Sequence, residues 1–461
     1  MQPVVTVAEM RAIDDEARAT VSFDTLVARA GTALAHGALG LLGGGYGRRV
    51  VVLAGAGNNG ADGTVAAGVL RHRGAAVVVV ALGDRPERIG DGADLVVDAA
   101  LGTGFHGTFD APTVPDGVPV LAGDIPSGID GDSGEARGQP LRAELTVTFG
   151  AVKPGLLQGD GPDFAGRVVV ADIGLDCSRA AAGLVEDTDV DHWVPSRPRR
   201  THKWQSAVAV VAGSPGMVGA AGMCARAAAR AGAGMVRLGV PGADLRELPV
   251  AEAVGHHLPA TGWADEVLQM ADRCAVVVVG PGLGRRDTTT AEVRRLVARC
   301  PVPVVVDADG LFALGRTDQV AAVVAERGPS APGQVILTPH DGEYARLTGA
   351  APGADRLAAA RSLASATGAV ALVKGSTTAI AGPQGRALLC TAGSSRLATA
   401  GTGDVLSGMI AAFVARGTDP TRAAAAAAHV HGRAADLGHG VGLVAGDLPE
   451  LVARWLSSRS G

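Results

Sequence analysis

The stretch "RRVVVLAGAGNNGADG", residues 48–63, decides the fold. It joins an apolar, β-branched run to a glycine-rich turn that spells G-x-G-x-x-G. A run apolar at every position reads as a strand covered on both faces, which implies a parallel sheet. A glycine turn that opens a helix offers free backbone N–H groups to a phosphate. Gly55, Gly57 and Gly60 are expected to allow positive φ and close backbone approach. The motif alone fits a nicotinamide-dependent oxidoreductase, and Asp84 stands roughly where a ribose-binding acid would. Asn58, Asn59 and Asp62 weigh against that reading, because a plain dinucleotide turn keeps these positions small.

Working outward, "TVAEMRAIDDEA" predicts an opening helix, with Thr6 and Glu9 as a capping box. The runs "AAVVVVAL", "ADLVVDA", "VPVLAG", "LTVTFG" and "GRVVVADI" continue the parallel α/β pattern to about residue 188. "EDTDVDHWVPSRPRRTHKWQ" then breaks the rhythm with charge and proline, which places a domain boundary there and predicts domains 1–188 and 189–461. A second series follows in "SAVAVVAG", "GMVRLGV", "CAVVVVGPGLG", "VPVVVDADG", "GQVILTPH" and "GAVALVKG". It ends in helices at "GDVLSGMIAAFVARG" and "TRAAAAAAHVHGRAADLG". No fixed-period repeat relates the halves.

Composition narrows the function. A length of 461 residues implies two domains, and 67 glycines with 3% aromatic residues suit an α/β protein rich in tight turns. A net charge of -5 argues against a sequence-independent grip on nucleic acid. The five cysteines have no C-x-x-C spacing and read as core residues of a reducing compartment, and the apolar runs are short for a membrane span. A cytoplasmic protein acting on small molecules is expected, with no nucleic-acid or membrane partner. Only Lys153, Lys203 and Lys374 stand among 41 basic residues, so these positions are candidates for sites that need a compact ammonium.

Loops at the carboxyl ends of parallel strands line the ligand crevice. Asp98 and Asp124 end successive strands, so both carboxylates are expected to open into it, with "GTG" after Asp98 as a second backbone cradle. In the second half, Gly401 and Gly403 open a helix as an anion pocket. Asp404 in the first turn is placed to take a proton from a hydroxyl attacking a phosphate, and an acid in a first turn is equally an ordinary helix cap. Lys374 and the hydroxyls after it suit a nucleotide, yet no G-x-x-x-x-G-K-[ST] occurs. His340 ends a strand between proline and aspartate, and His429 and His431 diverge on a helix and are not metal ligands.

"NNGADG", "DAALGTG", "DIPSGIDGDSG" and "TFGAVKPG", in that order, resemble the NAD(P)H-hydrate epimerase domain of the bifunctional NAD(P)H-hydrate repair enzymes. "GPGLG", "LTPHDGE", "KGSTTAI" and "AGTGDVLSGMIAA" resemble the ADP-dependent NAD(P)H-hydrate dehydratase domain of the same family. The resemblance implies a Rossmann-like three-layer sandwich followed by a ribokinase-like α/β domain. It implies that Asn58, Asn59, Gly60, Ala61 and Asp62, with Gly102, Thr103, Gly104, Phe105, His106, Gly107 and Thr108, hold the hydrated dinucleotide. Asp124 would be the epimerase acid/base, and Asn59, Asp98 and Ser127 would bind potassium. In the second domain, Ala233, Gly282, Gly284, His340 and Asp404 would contact the hydrate, with Asp404 catalytic. Lys374, Gly375, Ser376, Thr377, Thr378 and Gly403 would hold AMP or ADP, with magnesium at the phosphates. The family's habit also implies a homo-oligomer. Ala61 stands where the family usually has glycine, and "HKWQSAV" and "GSPGMVGAAG" depart from its glycine-rich pattern. The rival readings are a ribokinase-type small-molecule kinase, an NAD-dependent oxidoreductase and a non-catalytic binding module.

Overall fold

All six apolar runs of the first half become strands of one parallel sheet. Their spatial order is Ala76–Ala81, Arg49–Ala54, Leu95–Ala99, Val120–Gly123, Leu145–Phe149, Arg167–Ala171. The structure, a computed structural model, describes residues 1–84, 86–248, 250–328 and 334–459. The central strands Leu95–Ala99 and Val120–Gly123 are buried throughout, as their composition demands. The two outer strands are not: Val78 is 59% exposed and Val169 38%. Their β-branched residues satisfy the pleat of an edge strand, so an unbroken apolar run here does not imply two covered faces.

Helices Phe23–Leu42 and Asn58–His72 pack on one face, joined to the sheet through Leu34, Ala38, Val52, Ala66 and Leu121. The other face is closed by Ile89, Phe109 and Ala143 from loops and a short two-stranded ribbon, and by helix Gly161–Ala165, whose Ala165 O accepts from Thr146 Oγ1 at 2.7 Å. Phe23–Leu42 is long and apolar enough to cross a membrane by length and composition. Its buried positions, Leu26, Ala30, Leu34 and Ala38, instead make it a core helix. The opening helix forms over Val7–Ala17 with its capping box intact, the Glu9 N–H donating to Thr6 Oγ1 at 3.2 Å and the Thr6 N–H to Glu9 Oε2 at 2.8 Å.

The chain leaves Arg49–Ala54 for Ala76–Ala81 on one side and returns to Leu95–Ala99 on the other. Such a reversal of strand order opens a crevice at the carboxyl ends. The glycine turn lies there.

The chain divides into compact units at Gln2–Gly183 and from Leu184 onward, so the boundary falls before the expected 188/189. The reason is that the charged segment folds as helix Asp187–Trp193, and its Asp187 binds His429 at 2.7 Å and Arg433 at 3.0 Å on helix Pro420–Asp436.

In the second unit, seven parallel strands run in the order Val370–Val373, Val335–Leu337, Val304–Val306, Val276–Val279, Ala207–Val211, Met235–Pro241, Val254–Leu258. Two antiparallel strands, Thr378–Ala381 and Ala387–Cys390, extend the first of them. The core is rich in alanine, which lets helix Thr402–Ala415 lie close against Gly219–Arg230 and Pro420–Asp436.

Candidate active sites

The first unit holds a cleft of about 670 Å³ at the carboxyl edge of its sheet. Asn58, Asn59 and Asp62 reach it from the helix start, Gly102 to Phe105 from the loop after Asp98, and Asp124 and Lys153 from the next strand ends. Asp14 and Met10 reach it from the opening helix. Gly60, Ala61, His106, Gly107 and Thr108 do not line it. Ala61 is an ordinary helical residue, so alanine there carries no backbone penalty.

The glycines act differently from expectation. Gly55, Gly57 and Gly60 all avoid positive φ. Gly55 and Gly60 are needed for space: a Cβ on Gly55 would stand 1.8 Å from Ala100 O, and one on Gly60 1.8 Å from Gly55 O. The turn is thus pressed against the neighbouring strand end, which brings the helix N–H groups to the cleft.

Asp124 occupies the left-handed region, φ 65°, which a non-glycine residue adopts at a cost of about 1 kcal/mol. Its Oδ1 accepts from Lys153 Nζ at 2.5 Å, Thr148 Oγ1 at 3.2 Å and the Phe149 N–H at 3.4 Å. Oδ2 has no hydrogen-bond partner among the described residues, which leaves it for a ligand. Lys153, 1% exposed, also donates to Thr148 Oγ1 and Phe149 O, at 3.0 and 2.9 Å.

Asp98 corrects the picture of two carboxylates opening into one crevice. It is fully buried and accepts from Ser127 Oγ at 2.6 Å, the Ser127 N–H at 2.9 Å and the Ala100 N–H at 3.2 Å. It ties its strand end to the "DIPSG" turn. Asn59 Nδ2 donates to Leu101 O and Gly123 O at 2.7 and 3.0 Å, while its buried Oδ1 has no partner among the described residues. Burial, then the charges of Asp124 and Asp14, push the Asp62 carboxyl up to about 8.

In the second unit, strand ends bring together Asp307, His340 and Lys374, and helix Thr402–Ala415 brings Gly403, Asp404 and Ser407. Lys374 Nζ donates to Asp307 Oδ1 at 2.9 Å and lies 3.8 Å from Glu343 Oε2, and Ser407 Oγ donates to Asp307 Oδ2 at 2.8 Å. Burial and the Asp307 charge push Asp404 up to about 6 against the pull of Lys374. Burial alone would lower the Lys374 ammonium, but Asp307 and Glu343 outweigh it and raise it.

Buried Arg356 fixes the loop after Lys374 by donating to Thr377 O at 2.9 Å and to Lys374 O. Gly375 and Ser376 of this loop are exposed, Thr377 is buried, and Thr378 begins a strand instead of continuing the loop. His340 caps its helix, accepting at Nδ1 from the Gly342 N–H at 3.0 Å. Gly282 and Gly284 take positive φ, and the Gly284 N–H donates to Asp309 Oδ2 at 3.0 Å.

Ala233 is not brought to this cluster. It precedes Met235–Pro241, at the amino edge of a parallel sheet whose carboxyl edge carries the site. Ala220 is an alanine beside Gly282, where a Cβ on the glycine would meet its Cβ at 3.2 Å. Asp14, Asp307, Glu343 and Arg356 were not assigned from sequence, and Lys153 was singled out only by the scarcity of lysine. Asp307 and Glu343 carried a readable signal, as acids at or just past a strand end.

Residues 208–454 match the family described as NAD(P)H-hydrate dehydratase, and residues 24–93 and 84–155 match the YjeF-related protein N-terminus. The bifunctional NAD(P)H-hydrate repair enzyme Nnr of Salinibacter ruber is 37% identical over 89% of this chain and 88% of its own. The chain belongs to this family of bifunctional repair enzymes. The Mycobacterium tuberculosis member is 41% identical over 83% of this chain and 82% of its own. Among solved structures, the ADP/ATP-dependent NAD(P)H-hydrate dehydratase of Bacillus subtilis, co-crystallised with ATP and Mg2+, is 28% identical. It covers 60% of this chain and 99% of its own, with a TM-score of 0.51. A ribokinase-like protein of Enterococcus faecalis, 21% identical with a TM-score of 0.52 over 60% of this chain and 96% of its own, shares the fold.

Proposed function

We propose that this member of the repair family interconverts the R and S forms of hydrated NADH and NADPH in its first unit. Its second unit then dehydrates the S form with ADP. The observation that carries the reading is the pair of aspartates at two carboxyl-edge sites, each with one of the chain's three lysines near it: Asp124 bonded to Lys153, and Asp404 within the field of Lys374, which itself bonds Asp307. Water added across the nicotinamide ring leaves a hydroxyl on C6, the carbon bonded to the ring nitrogen. Asp124 Oδ2 is the acid/base group for its inversion. In the second unit Asp404 takes the proton of the 6-hydroxyl as its oxygen attacks the β-phosphorus of ADP, and AMP leaves. Phosphate then departs from C6 and a proton from C5, which restores the double bond.

Lys374 and the N–H groups at the start of Thr402–Ala415 suit the nucleotide's phosphates, with Gly375 to Thr378 beside them. Magnesium would arrive with the nucleotide, held by its phosphates, and the negative charge of Asp307, Glu343 and Asp404 nearby favours a cation there. The magnesium would neutralise phosphate charge. The unpartnered, buried Asn59 Oδ1 beside Asp98 and Ser127 fits a potassium ion that would brace the first loop. A cytoplasmic location and assembly into a homo-oligomer belong to the same reading, and the buried, unpaired cysteines fit a reducing compartment.

The test supplies an R and S mixture of hydrated NADH with ADP, magnesium and potassium, following dihydronicotinamide absorbance and free phosphate. Full recovery with one phosphate per NADH is expected. Asp124→Asn should stop after the S fraction, and Asp404→Asn should recover nothing. A phosphorylated product without phosphate release would favour a kinase, and no recovery with ADP or ATP would remove the repair reading.

A further inference from the structure

The first cleft gathers three carboxyl groups, Asp14, Asp62 and Asp124, around one buried ammonium. Lys153 spends its donors on Asp124, Thr148 and Phe149, so Asp124 alone is paired with it. The Asp62 carboxyl, 7% exposed, has no hydrogen-bond donor among the described residues. The charged groups in the cleft beside it are Asp14 and Arg18 from the opening helix and its C-cap, and Asp124 and Lys153 from the strand ends. The packed helix Phe23–Leu42 brings the apolar Leu26, Val27 and Ala30. Two carboxyls thus share a cleft in opposite surroundings. One is paired with an ammonium, and the other faces apolar groups and negative charge. Environments of this kind assign base and acid roles to paired carboxyls.

We propose that Asp62 is a second catalytic residue of the epimerase, a neutral carboxylic acid that gives a proton to the substrate as Asp124 Oδ2 takes one. This rests on the epimerase reading. The substrate's C6 bears both a hydroxyl and the ring nitrogen, so it can open as a hemiaminal does. Asp124 takes the hydroxyl proton, the C6–O bond becomes a carbonyl, and the C6–N bond breaks. Its electron pair moves through the C2=C3 bond to the carboxamide oxygen, which takes the Asp62 proton. Rotation about C5–C6 turns the other carbonyl face to the nitrogen. Closure returns both protons and inverts C6, with no oxidant, reductant or added water. The mechanism needs Asp62 protonated, and its carboxyl keeps its proton up to about pH 8.

The experiment starts from R-hydrated NADH without ADP, separates R from S by chromatography, and runs from pH 6 to 9.5 on the full chain. Wild type should be flat at low pH and lose kcat/KM tenfold per unit above about 8. Asp62→Asn should lower kcat about 100-fold with KM within a few-fold, and should lack the alkaline limb. Thermal melting checks folding. Asp14→Asn removes one of the negative charges that hold the Asp62 proton, so the alkaline limb should move to lower pH, a readout that does not depend on Asp62→Asn folding. Retained kcat in Asp62→Asn, a rise in KM alone, or an alkaline limb unmoved in both variants overturns the proposal. A wild-type chain that does not interconvert R and S overturns the epimerase reading itself.

Discussion

At the scale of single residues, the proposed role of Asp404 predicts the pH response of the dehydratase. A base must be ionised, and burial with the Asp307 charge holds this carboxyl up to about 6. The kcat/KM for the S form with ADP should therefore be level above about pH 6.5 and fall tenfold per unit below about 6, read by phosphate release. Lys374 opposes the upward shift, so Lys374→Met should move that midpoint higher while weakening ADP binding. A profile flat to pH 5 would remove Asp404 as the base. Scarcity pointed to the right lysines in two cases of three: Lys153 and Lys374 hold carboxylates, whereas Lys203 is exposed before Ala207–Val211. The proton on Asp62 was not legible, because it depends on Asp14 and Asp124, which only the folded chain brings near.

At the scale of elements, the site in the second unit depends on how closely helix Thr402–Ala415 approaches Gly219–Arg230. A Cβ on Gly408 would stand 2.2 Å from Cys224 O, a backbone atom that cannot swing away. Gly408→Ala should force the helices apart and destabilise the unit by about 1–3 kcal/mol. The same shift moves Gly403 and Asp404 on the first turn. Dehydration should then slow roughly tenfold or more while epimerisation by the same chain is unaffected, with thermal melting and the two assays as the check. Unchanged melting would mean the helices can shift at no cost. The parallel strands were legible because an apolar run bounded by glycine has few other uses. The hairpin Thr378–Ala381 and Ala387–Cys390 was not, since four-residue strands around "GPQG" look like the loop they flank. The direction of a parallel strand would have excluded Ala233: a residue just before a strand lies at the edge away from the crevice.

At the scale of the whole molecule, each unit has its own core and its own cluster of charged groups at the carboxyl edge of parallel strands. The division into two units was legible because each half has its own series of apolar runs. Its boundary was misplaced because polar composition marks a surface segment whether or not that segment is helical. The two proposed sites lead to a test of how the intermediate travels. Asp124→Asn chains keep the dehydratase and Asp404→Asn chains keep the epimerase. Mixed at equal concentration with R-hydrated NADH, ADP and magnesium, the two variants should together regenerate NADH, with a lag that shortens as the Asp124→Asn protein is raised, because the S form must cross between molecules. Recovery by wild type but none by the mixture would mean that the S form passes between sites without leaving the molecule. A lag that does not respond to the second protein would place the slow step in the epimerase.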